Sequence, residues 1–465
     1  MSFKPSTTAS TIESMEPRQM FATFVVTTVA DSGAGSLRDA LNQANRASDA
    51  DVIQFSIGSG AKSIQPLSQL PFVKHPVTID ASTQPGFVGQ PLIELRGDRA
   101  GANAYGLNIG AGNSVVRGLV INRFQQSGIL ITGKGNNVVI GNYIGTDATG
   151  TIAAANKKGI IVQSAGNRIG GTTGSSRNII SGNNGVGVQF YTAAATGNSL
   201  QGSYVGLNAT GTAAIPNIGC GVGITGGVSN VVGGTVAGSR NVISGNTNDG
   251  IIINTPGAIG NTVLGNYIGT NAAGNAKVGN GNYGIEISER YNTVGGTRAG
   301  SGNVISGNAW SGVVLWLATG SSNKVVNNYI GTNATGNARL GNGWNGLDIA
   351  DGSNSNMVSG NVLSGNDRSG IMMYQGTGNV LTNNVIGLGV NRTTPVSNLR
   401  DGIRLQQTKA ITITSNLIGH NGPANPTSVA FTLSGFAIFN GVSNTFTSLT
   451  GNTRINDTLF NLKAI

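Results

Sequence analysis

The chain has 465 residues, of which 74 are glycine and 12 proline, while only 10% are charged and 5% aromatic. This composition excludes a collagen-like chain and a highly charged disordered chain, and it favours a repetitive solenoid with a thin core of stacked Ile and Val. The single cysteine, Cys220, excludes an intramolecular disulfide, no run of about 18 apolar residues is present to form a transmembrane helix, and a net charge of +10 favours polyanionic partners.

The first element predicted along the chain is an amphipathic helix over residues 36–46. Ser36 is placed as the N-cap, and Asp39 stands at the capping-box position. One face of the helix is apolar and holds Leu37, Ala40, Leu41 and Ala44. We expect this helix to close the N-terminal end of the solenoid, where exposed strand edges would otherwise polymerise.

Two internal repeats follow. The block at residues 137–150 returns at 198–211, 261–274 and 323–336, a period of 61 to 63 residues. A second series, Asn-(Ile/Val)-(Ile/Leu)-Ser-Gly-Asn, begins at Asn178, Asn241, Asn303 and Asn361. Two kinds of coil therefore alternate along the chain.

Each coil is predicted to contain three short strands separated by turns of Gly, Asn, Ser and Thr. In the coil at 159–184 the strands are residues 159–162, 167–170 and 178–181. The predicted fold is an all-β, right-handed parallel β-helix with an N-terminal capping helix and a C-terminal cap. About 11 coils between Gly106 and Gly402 would make a shaft roughly 50 Å long, with Asn side chains stacked at its corners.

We divide the chain into four segments. Residues 1–22 are an export-like segment, 23–98 an N-terminal cap with the first strands, 99–420 the β-helix, and 421–465 a Phe-rich C-terminal cap.

The N-terminal region resembles a known group of proteins. Its motifs are Gly33-Ala-Gly-Ser-Leu-Arg-Asp-Ala-Leu-Asn-Gln-Ala-Asn45, Asp51-Val-Ile-Gln-Phe55, Leu70-Pro71, Val77-Thr-Ile-Asp80 and Thr83-Gln-Pro-Gly86. These resemble secreted bacterial right-handed β-helix repeat proteins of the pectin-lyase-like superfold. Because that superfold hosts lyases, hydrolases, epimerases and adhesins, the resemblance implies the fold and leaves the activity open.

A second resemblance concerns the first residues of the chain. The stretch from Glu13 to Ala22 is similar to the LEPRxLL segment of exported planctomycete proteins, with Met15 and Met20 where that pattern has leucine. It implies export to the cell surface or the extracellular space.

Enzymes of this superfold carry acidic clusters on the outer face of the shaft, so the outward carboxylates are catalytic candidates. Glu286 and Asp348 are predicted at outward positions two coils apart, roughly 9 to 10 Å between backbones, and Arg404 follows in the same column. Such carboxylates suit an inverting glycosidase, and with Glu289 and Asp351 they could instead bind Ca²⁺. The alternative is that they are simply solvated.

Other candidates are ligand-binding residues. An outward column of Tyr143, Tyr204, Tyr267 and Tyr329 could stack sugar rings, or could pack under the long loop that follows each Tyr. The stretch from Arg99 to Asn248 contains nine Lys or Arg residues and one acidic residue, Asp147. The ligand-binding candidates in that basic stretch are Arg177, Arg240, Lys157 and Lys158.

The leading hypothesis is an exported or cell-surface shaft that binds acidic polysaccharide. The alternative is a polysaccharide lyase, hydrolase or epimerase, and a third hypothesis is an adhesin or filament. Nucleic acid is disfavoured because basic residues and aromatics are not interleaved. No cofactor other than Ca²⁺ is suggested.

Overall fold

The computed structural model describes residues 21–46, 49–422, 436–439, 446–448 and 450–455. Its strands form three sheets, and in each sheet the strand of one coil pairs in parallel with the equivalent strand of the next. This is the predicted right-handed parallel β-helix with three strands per coil. Most of the export-like segment, residues 1–20, lies outside the described residues.

The strands belong to three faces of a prism, which we name sheets A, B and C. The 15 strands of sheet A are Thr23–Val26, Asp51–Phe55, Val77–Asp80, Val115–Arg117, Val138–Ile140, Arg168–Gly170, Ser199–Gln201, Val231–Gly233, Thr262–Leu264, Thr293–Gly295, Lys324–Val326, Met357–Ser359, Val380–Thr382, Ile411–Thr414 and Phe446–Ser448. The 14 strands of sheet B are Lys62–Ile64, Ile93–Arg96, Leu119–Asn122, Tyr143–Ile144, Ile179–Ile180, Tyr204–Val205, Val242–Ile243, Tyr267–Ile268, Val304–Ile305, Tyr329–Ile330, Val362–Leu363, Val385–Ile386, Leu417–Gly419 and Thr453–Ile455. The 12 strands of sheet C are Leu107–Ile109, Ser127–Ile131, Lys158–Val162, Val188–Tyr191, Val222–Thr225, Ile251–Asn254, Ile285–Ile287, Val313–Trp316, Leu347–Ala350, Ile371–Tyr374, Ile403–Gln406 and Phe436–Phe439.

Eleven sheet C strands, from Leu107–Ile109 to Ile403–Gln406, match the eleven coils predicted between Gly106 and Gly402, and further coils extend the solenoid at both ends. Sheet A begins at Thr23, and pairing crosses the predicted boundary at residue 98, since Ile93–Arg96 pairs with Leu119–Asn122. Near the other end, Ile411–Thr414 pairs with Phe446–Ser448. These coils lack the Asn-Gly repeat, so the repeat count missed them. Phe436–Phe439 and Thr453–Ile455 also pair with the preceding coil. Apart from residues 421–422, 436–439, 446–448 and 450–455, the predicted C-terminal cap lies outside the described residues.

The interior is one continuous apolar column of stacked aliphatic side chains. Ile129 pairs with Ile160 and Ile160 with Val188, and all three are fully buried. The same cluster of buried side chains extends from Val26 to Ile418. Burial of this apolar surface is the main force that holds successive coils together.

Buried asparagines form ladders along the corners, as predicted. In one ladder the Asn303 side chain donates to Asn328 Oδ1 at 2.8 Å and to the Val263 carbonyl at 2.9 Å, and it accepts from the Asn266 amide at 3.0 Å. Parallel ladders run through Asn198 and Asn246. Each amide thus satisfies backbone groups that the bends would otherwise leave unpaired.

The N-terminal helix is confirmed at Leu37–Ala44. Ser36 Oγ accepts from the Asp39 N–H at 3.1 Å, whereas the Asp39 carboxylate accepts from Gln43 rather than completing the capping box. The four predicted apolar residues are all buried and belong to the same core as the sheets. Among the residues that the structure describes, no helix has the length and apolarity to cross a membrane.

The loops that follow alternate sheet B strands form antiparallel hairpins, and these hairpins stack on each other. Bridges such as Leu207–Ala214 and Thr270–Lys277 close them, and the Ala272 N–H donates to the Gly211 carbonyl at 2.8 Å. We call this row of hairpins, residues 146–156, 207–217, 270–280, 332–342 and 388–396, the hairpin ridge. It lies along the outward side of sheet B.

Candidate functional site

In the sheet C strands the residue between two inward aliphatic side chains faces outward, and strand pairing aligns these residues in one column. The column reads Leu130, Ile161, Gln189, Gly223, Ile252, Glu286, Val314, Asp348, Met372 and Arg404. Glu286 and Asp348 are therefore two coils apart, as predicted, about 9.6 Å between backbones.

The turn before each sheet C strand adds two more aligned columns. Next to the strands lie Asp249, Tyr283, Ser311, Asn345, Ser369 and Asp401, whose carbonyls accept from the glycine that begins the preceding coil's strand. Beside them lie Asn282, Trp310, Trp344, Arg368 and Arg400, joined by backbone bonds such as that from Arg368 N–H to the Trp344 carbonyl at 2.9 Å. These columns bring turn side chains alongside Glu286 and Asp348.

All three tryptophans of the chain gather on this face. The Tyr283 ring lies edge-on to Trp310 at 6.1 Å and to Trp316 at 6.3 Å, and Trp310 and Trp344 are 5.6 Å apart between centroids. We call these four residues the aromatic cluster. Trp310 is 46% exposed, so part of the cluster's apolar surface is open to a ligand.

Asp348 is held by hydrogen bonds from the turn columns. Ser311 Oγ donates to one carboxylate oxygen, and Asn345 Nδ2 donates to the other at 2.7 Å. The Ser369 N–H donates in turn to Asn345 Oδ1 at 2.9 Å, which fixes the amide. Burial nevertheless raises the pKa of Asp348 to about 6, against the lowering effect of these bonds and of Arg368.

Glu286 is in a different state. Burial, followed by the negative charge of Asp249, raises the pKa of Glu286 to about 7. No hydrogen bond to its carboxylate exists among the described residues, and Val314, only 3% exposed, separates it from Asp348. Burial and the charges of Asp348, Glu286 and Asp249 also raise the pKa of Tyr283 to about 12. Both Glu286 and Asp348 therefore hold a proton more tightly than an ordinary carboxyl group does.

Three arginines border the aromatic cluster. The Arg368 guanidinium stacks on the Trp344 ring, 2.9 Å from its centroid. Burial, Arg400 and Arg404 lower the pKa of Arg368, since the cations crowd each other. Arg404 lies four coils from Glu286, about 19 Å between backbones, and 3.9 Å from the Asp401 carboxylate. Glu286 and Asp348 thus share a patch, whereas Arg404 lies at its edge and Arg368 stands closer to Asp348.

The predicted Ca²⁺ site is not assembled. Asp351 follows the strand in a turn, where its carboxylate accepts from the Trp316 indole, and both oxygens of Asp348 already accept hydrogen bonds. Glu289 is buried in a turn of its own coil. Within the described part of the chain, no three His, Cys, Asp or Glu residues are grouped to hold a metal ion.

The predicted tyrosine column is present on sheet B. Tyr143, Tyr204, Tyr267 and Tyr329 alternate with Ile179, Val242 and Val304 in the pairing. Tyr204 is 8% exposed and packs with Leu207 of the hairpin ridge, so the loop-packing alternative describes it. The predicted Arg177 and Arg240 lie over the rings of Tyr204 and Tyr267, 4.2 and 4.1 Å from their centroids.

The predicted Lys157 and Lys158 lie elsewhere, on the turn columns of sheet C. Lys158 Nζ donates to Gln189 at 3.1 Å. Lys158 is four coils from Tyr283, about 19 Å along the shaft.

Sequence reasoning missed the aromatic cluster and Arg368. It considered only the outward strand position, whereas these side chains stand mostly in the turns, one or two residues before the glycine that begins each strand. A signal was available, because all three tryptophans fall within residues 310–344.

Comparisons with known proteins bear mainly on the fold. The model of a family described as periplasmic copper-binding protein (NosD) matches residues 331–459. No curated protein sequence matches. Similar solved structures include the periplasmic alginate epimerase AlgG, with 15% identity over 87% of this chain and 77% of that one, and a TM-score of 0.42. The A-module of the Azotobacter vinelandii mannuronan C-5 epimerase AlgE6 has 10% identity over 94% and 100%, with a TM-score of 0.46. The alginate lyase AlyF-OU02 has 12% identity over 86% of each chain, with a TM-score of 0.46.

Proposed function

We propose that the protein binds a polysaccharide across sheet C and transfers protons to and from the bound sugar through Glu286 and Asp348. The observation that carries this proposal is the aromatic cluster beside two carboxylates, Glu286 and Asp348, whose pKa values are both raised by burial. The charged groups on this face therefore support chemistry in addition to recognition.

Binding would rest on the aromatic rings and the arginines. The exposed part of the Trp310 ring offers a flat apolar surface to a sugar ring. Arg368, Arg400 and Arg404 lie at one end of the cluster and would pair with carboxylate or sulfate groups of an acidic chain. We therefore propose an acidic polysaccharide as the ligand.

The reaction that the carboxylates suit best is hydrolysis with inversion. Glu286, when protonated, donates its proton to the glycosidic oxygen as the bond to the anomeric carbon breaks. Asp348, when ionised, removes a proton from the water that attacks that carbon. Inverting glycosidases hold the two carboxyl groups about 6.5 to 9.5 Å apart, and a backbone spacing of about 9.6 Å is compatible with that range.

Copper is not part of the proposal. The residues matched by the family model contain no cysteine, because Cys220 lies outside 331–459, and His420 is their one histidine. The described residues of the segment hold no group of three His, Cys, Asp or Glu side chains. This segment therefore offers copper neither a thiolate nor a group of imidazoles, and its soft ligands are the thioethers of Met357, Met372 and Met373.

The test is turnover of uronate-containing and sulfated polysaccharides by the purified full chain. We expect new reducing ends, and a loss of about 10²- to 10⁴-fold in kcat for Glu286→Gln. The matched control is Glu289→Gln, the same change three residues away, which should retain turnover. Unsaturated products would indicate elimination instead of hydrolysis, and equal activity of Glu286→Gln and the wild type would refute the assignment.

We also propose that the protein is exported and works at the cell surface or outside the cell. The export-like segment at residues 1–22 supports this location. Fractionation of the source cells with an antibody against the chain tests it, and a purely cytoplasmic signal would contradict it.

A further inference from the structure

A groove lies on sheet B, which is a different face of the prism from the one that carries the aromatic cluster. Its cavity has a volume of about 560 Å³. The floor is formed by the outward residues Tyr267, Val304, Tyr329, Val362 and Val385. These span five successive coils, about 19 Å. Arg240, Arg298 and Gly302 line one side, and Val390 and Arg392 of the hairpin ridge line the other.

The groove opens where the repeat loses an arginine. In the first two copies of the Asn-(Ile/Val)-(Ile/Leu)-Ser-Gly-Asn repeat, an arginine precedes the first asparagine. The guanidinium of this residue, Arg177 or Arg240, covers the tyrosine of the next coil, and its Nε donates to a glycine carbonyl at 3.2 or 3.3 Å. The third copy has Gly302 at this position, directly before the ladder residue Asn303. No guanidinium covers the Tyr329 ring in the described structure, and this ring lines the cavity.

The groove is also strongly cationic. Arg240, Arg298 and Arg392 line it, and the lining includes no Asp or Glu. None of the three forms an ion pair with any residue that the structure describes. The Nε of Arg240 is held by the Gly265 carbonyl, so its terminal nitrogens are left for an anion.

We propose that this groove is a second site for an acidic polysaccharide, with a sugar ring on Tyr329 in the place of the missing guanidinium. The carboxylate or sulfate groups of the chain bind Arg240, Arg298 and Arg392. The trough is open and elongated, which suits a chain more than a compact anion. This site is independent of the chemistry proposed for sheet C.

The chain provides a matched pair of arginines for the test. Arg177 and Arg240 occupy equivalent positions, stack on equivalent tyrosines and make the same backbone bond, but only Arg240 lines the groove. Binding of an oligogalacturonate and of a heparin-derived oligosaccharide to the full chain is measured by calorimetry. We expect Arg240→Gln and Arg392→Gln each to weaken binding at least fivefold, and Arg177→Gln to change it less than twofold.

Tryptophan fluorescence separates the two sites, because every tryptophan belongs to the aromatic cluster on sheet C. Binding in the groove should give calorimetric heat without a fluorescence change, and Trp310→Ala should leave that heat unaltered. Arginine-dependent binding of either oligosaccharide supports the proposal, and the tighter of the two identifies the anionic group.

Three results would overturn it: equal losses for Arg177→Gln and Arg240→Gln, binding that disappears in Trp310→Ala and persists in Arg240→Gln, or tighter binding of single-stranded DNA than of both oligosaccharides. Failure of Glu286→Gln to affect turnover would refute only the function proposed for sheet C. The two proposals therefore fail separately.

Discussion

Sheets B and C share one core but differ in what their outward faces repeat. On sheet B tyrosine alternates with an aliphatic residue from Tyr143 to Tyr329. On sheet C the outward residues from Ile252 to Arg404 change chemical type at every coil. In this solenoid, outward residues that repeat from coil to coil are packed under loops, and the candidate sites lie where the repeat is broken.

The physical reason lies in what covers each face. Sheet B carries the hairpin ridge, whose loops pack on the tyrosines and on each other, so each copy must match its neighbours. The turns that precede the sheet C strands are short, as at 280–284 and 308–312, and their side chains can vary without disturbing another coil. The groove on sheet B follows the same rule, because it begins where Gly302 replaces arginine.

The largest effect is expected from breaking the asparagine ladder at the corner that precedes the sheet B strands. Asn303→Ala would leave the Asn266 amide and the Val263 carbonyl without their buried partner, so we expect a loss of about 3 to 4 kcal/mol of unfolding free energy. Denaturant unfolding followed by circular dichroism measures it. Thr335→Ala, at an exposed hairpin tip, is the control. A loss below about 1 kcal/mol for Asn303→Ala would contradict the structural role of the ladders.

The second prediction compares aromatics of the two faces. Tyr204→Ala removes a ring that is 8% exposed under the hairpin ridge, and should lower stability by about 3 kcal/mol. Trp310→Ala removes a ring that is 46% exposed and should cost less than about 1 kcal/mol while weakening polysaccharide binding on sheet C. Thermal unfolding reports the change in stability, and the fluorescence of the remaining tryptophans reports binding on sheet C. A larger loss of stability in Trp310→Ala than in Tyr204→Ala would contradict the distinction between a packed sheet B face and an exposed sheet C face.

The third prediction is a pH dependence on sheet C. The pKa of Glu286 is about 7 in the folded chain against an ordinary value of 4.5, so the folded state binds the proton more tightly. Its contribution to stability is therefore fully present below about pH 4.5 and is lost as pH rises through 7. Converted directly, the difference between pKa 4.5 and 7 gives about 3.4 kcal/mol, and solvent screening of this partly buried carboxylate reduces it. Glu286→Gln should therefore be more stable than the wild type at pH 8 by about 2 kcal/mol, and nearly equal to it at pH 4.

Asp147 in the hairpin ridge provides a control, because its pKa is shifted in the opposite direction to that of Glu286. Burial alone would raise the pKa of Asp147, but hydrogen bonds from Thr149, Ile152 and Thr151 lower it overall. Asp147→Asn should therefore lose stability at pH 8 and lose little once the carboxyl group is protonated in both states. Parallel pH profiles for the two variants would contradict the assigned environments.

The smallest effect is expected at the basic turns. Lys157 and Lys158 lie about 19 Å from Tyr283, so replacing both by alanine should weaken binding of a short oligosaccharide less than threefold. A long polysaccharide that extends along the shaft should be affected more than a short one. Equal, large losses for both ligands would place the binding face around these lysines instead.

Much of the architecture was predictable from the sequence because it is repetitive. The period of about 62 residues, the three strands per coil, the Asn ladders and the capping helix at Leu37–Ala44 follow from local pattern and turn chemistry. The spacing of Glu286 and Asp348 followed as well, since parallel pairing converts equivalent repeat positions into neighbours.

The neighbours of those carboxylates were not predictable in the same way. Trp310, Trp344 and Arg368 stand in turns, and whether a turn side chain leans over the sheet depends on the backbone of its bend. The predicted Ca²⁺ site failed for a related reason. Asp351 follows Asp348 by only three residues, but it lies in the turn after the strand, with a positive φ of 52°.

In the regular region of the solenoid, the asparagine ladders give successive coils similar upper and lower contact surfaces. A coil can therefore be paired with any neighbour that presents the same amides, regardless of what its outer faces carry. Successive coils are about 4.8 Å apart along the shaft, so the number of coils between two residues sets the distance between them. Deleting a two-coil unit from the regular region, such as residues 198–260, should bring Lys158 about 10 Å closer to Tyr283 while leaving each interface chemically unchanged. Distance along the protein is thus an adjustable quantity, set by the number of coils between two points.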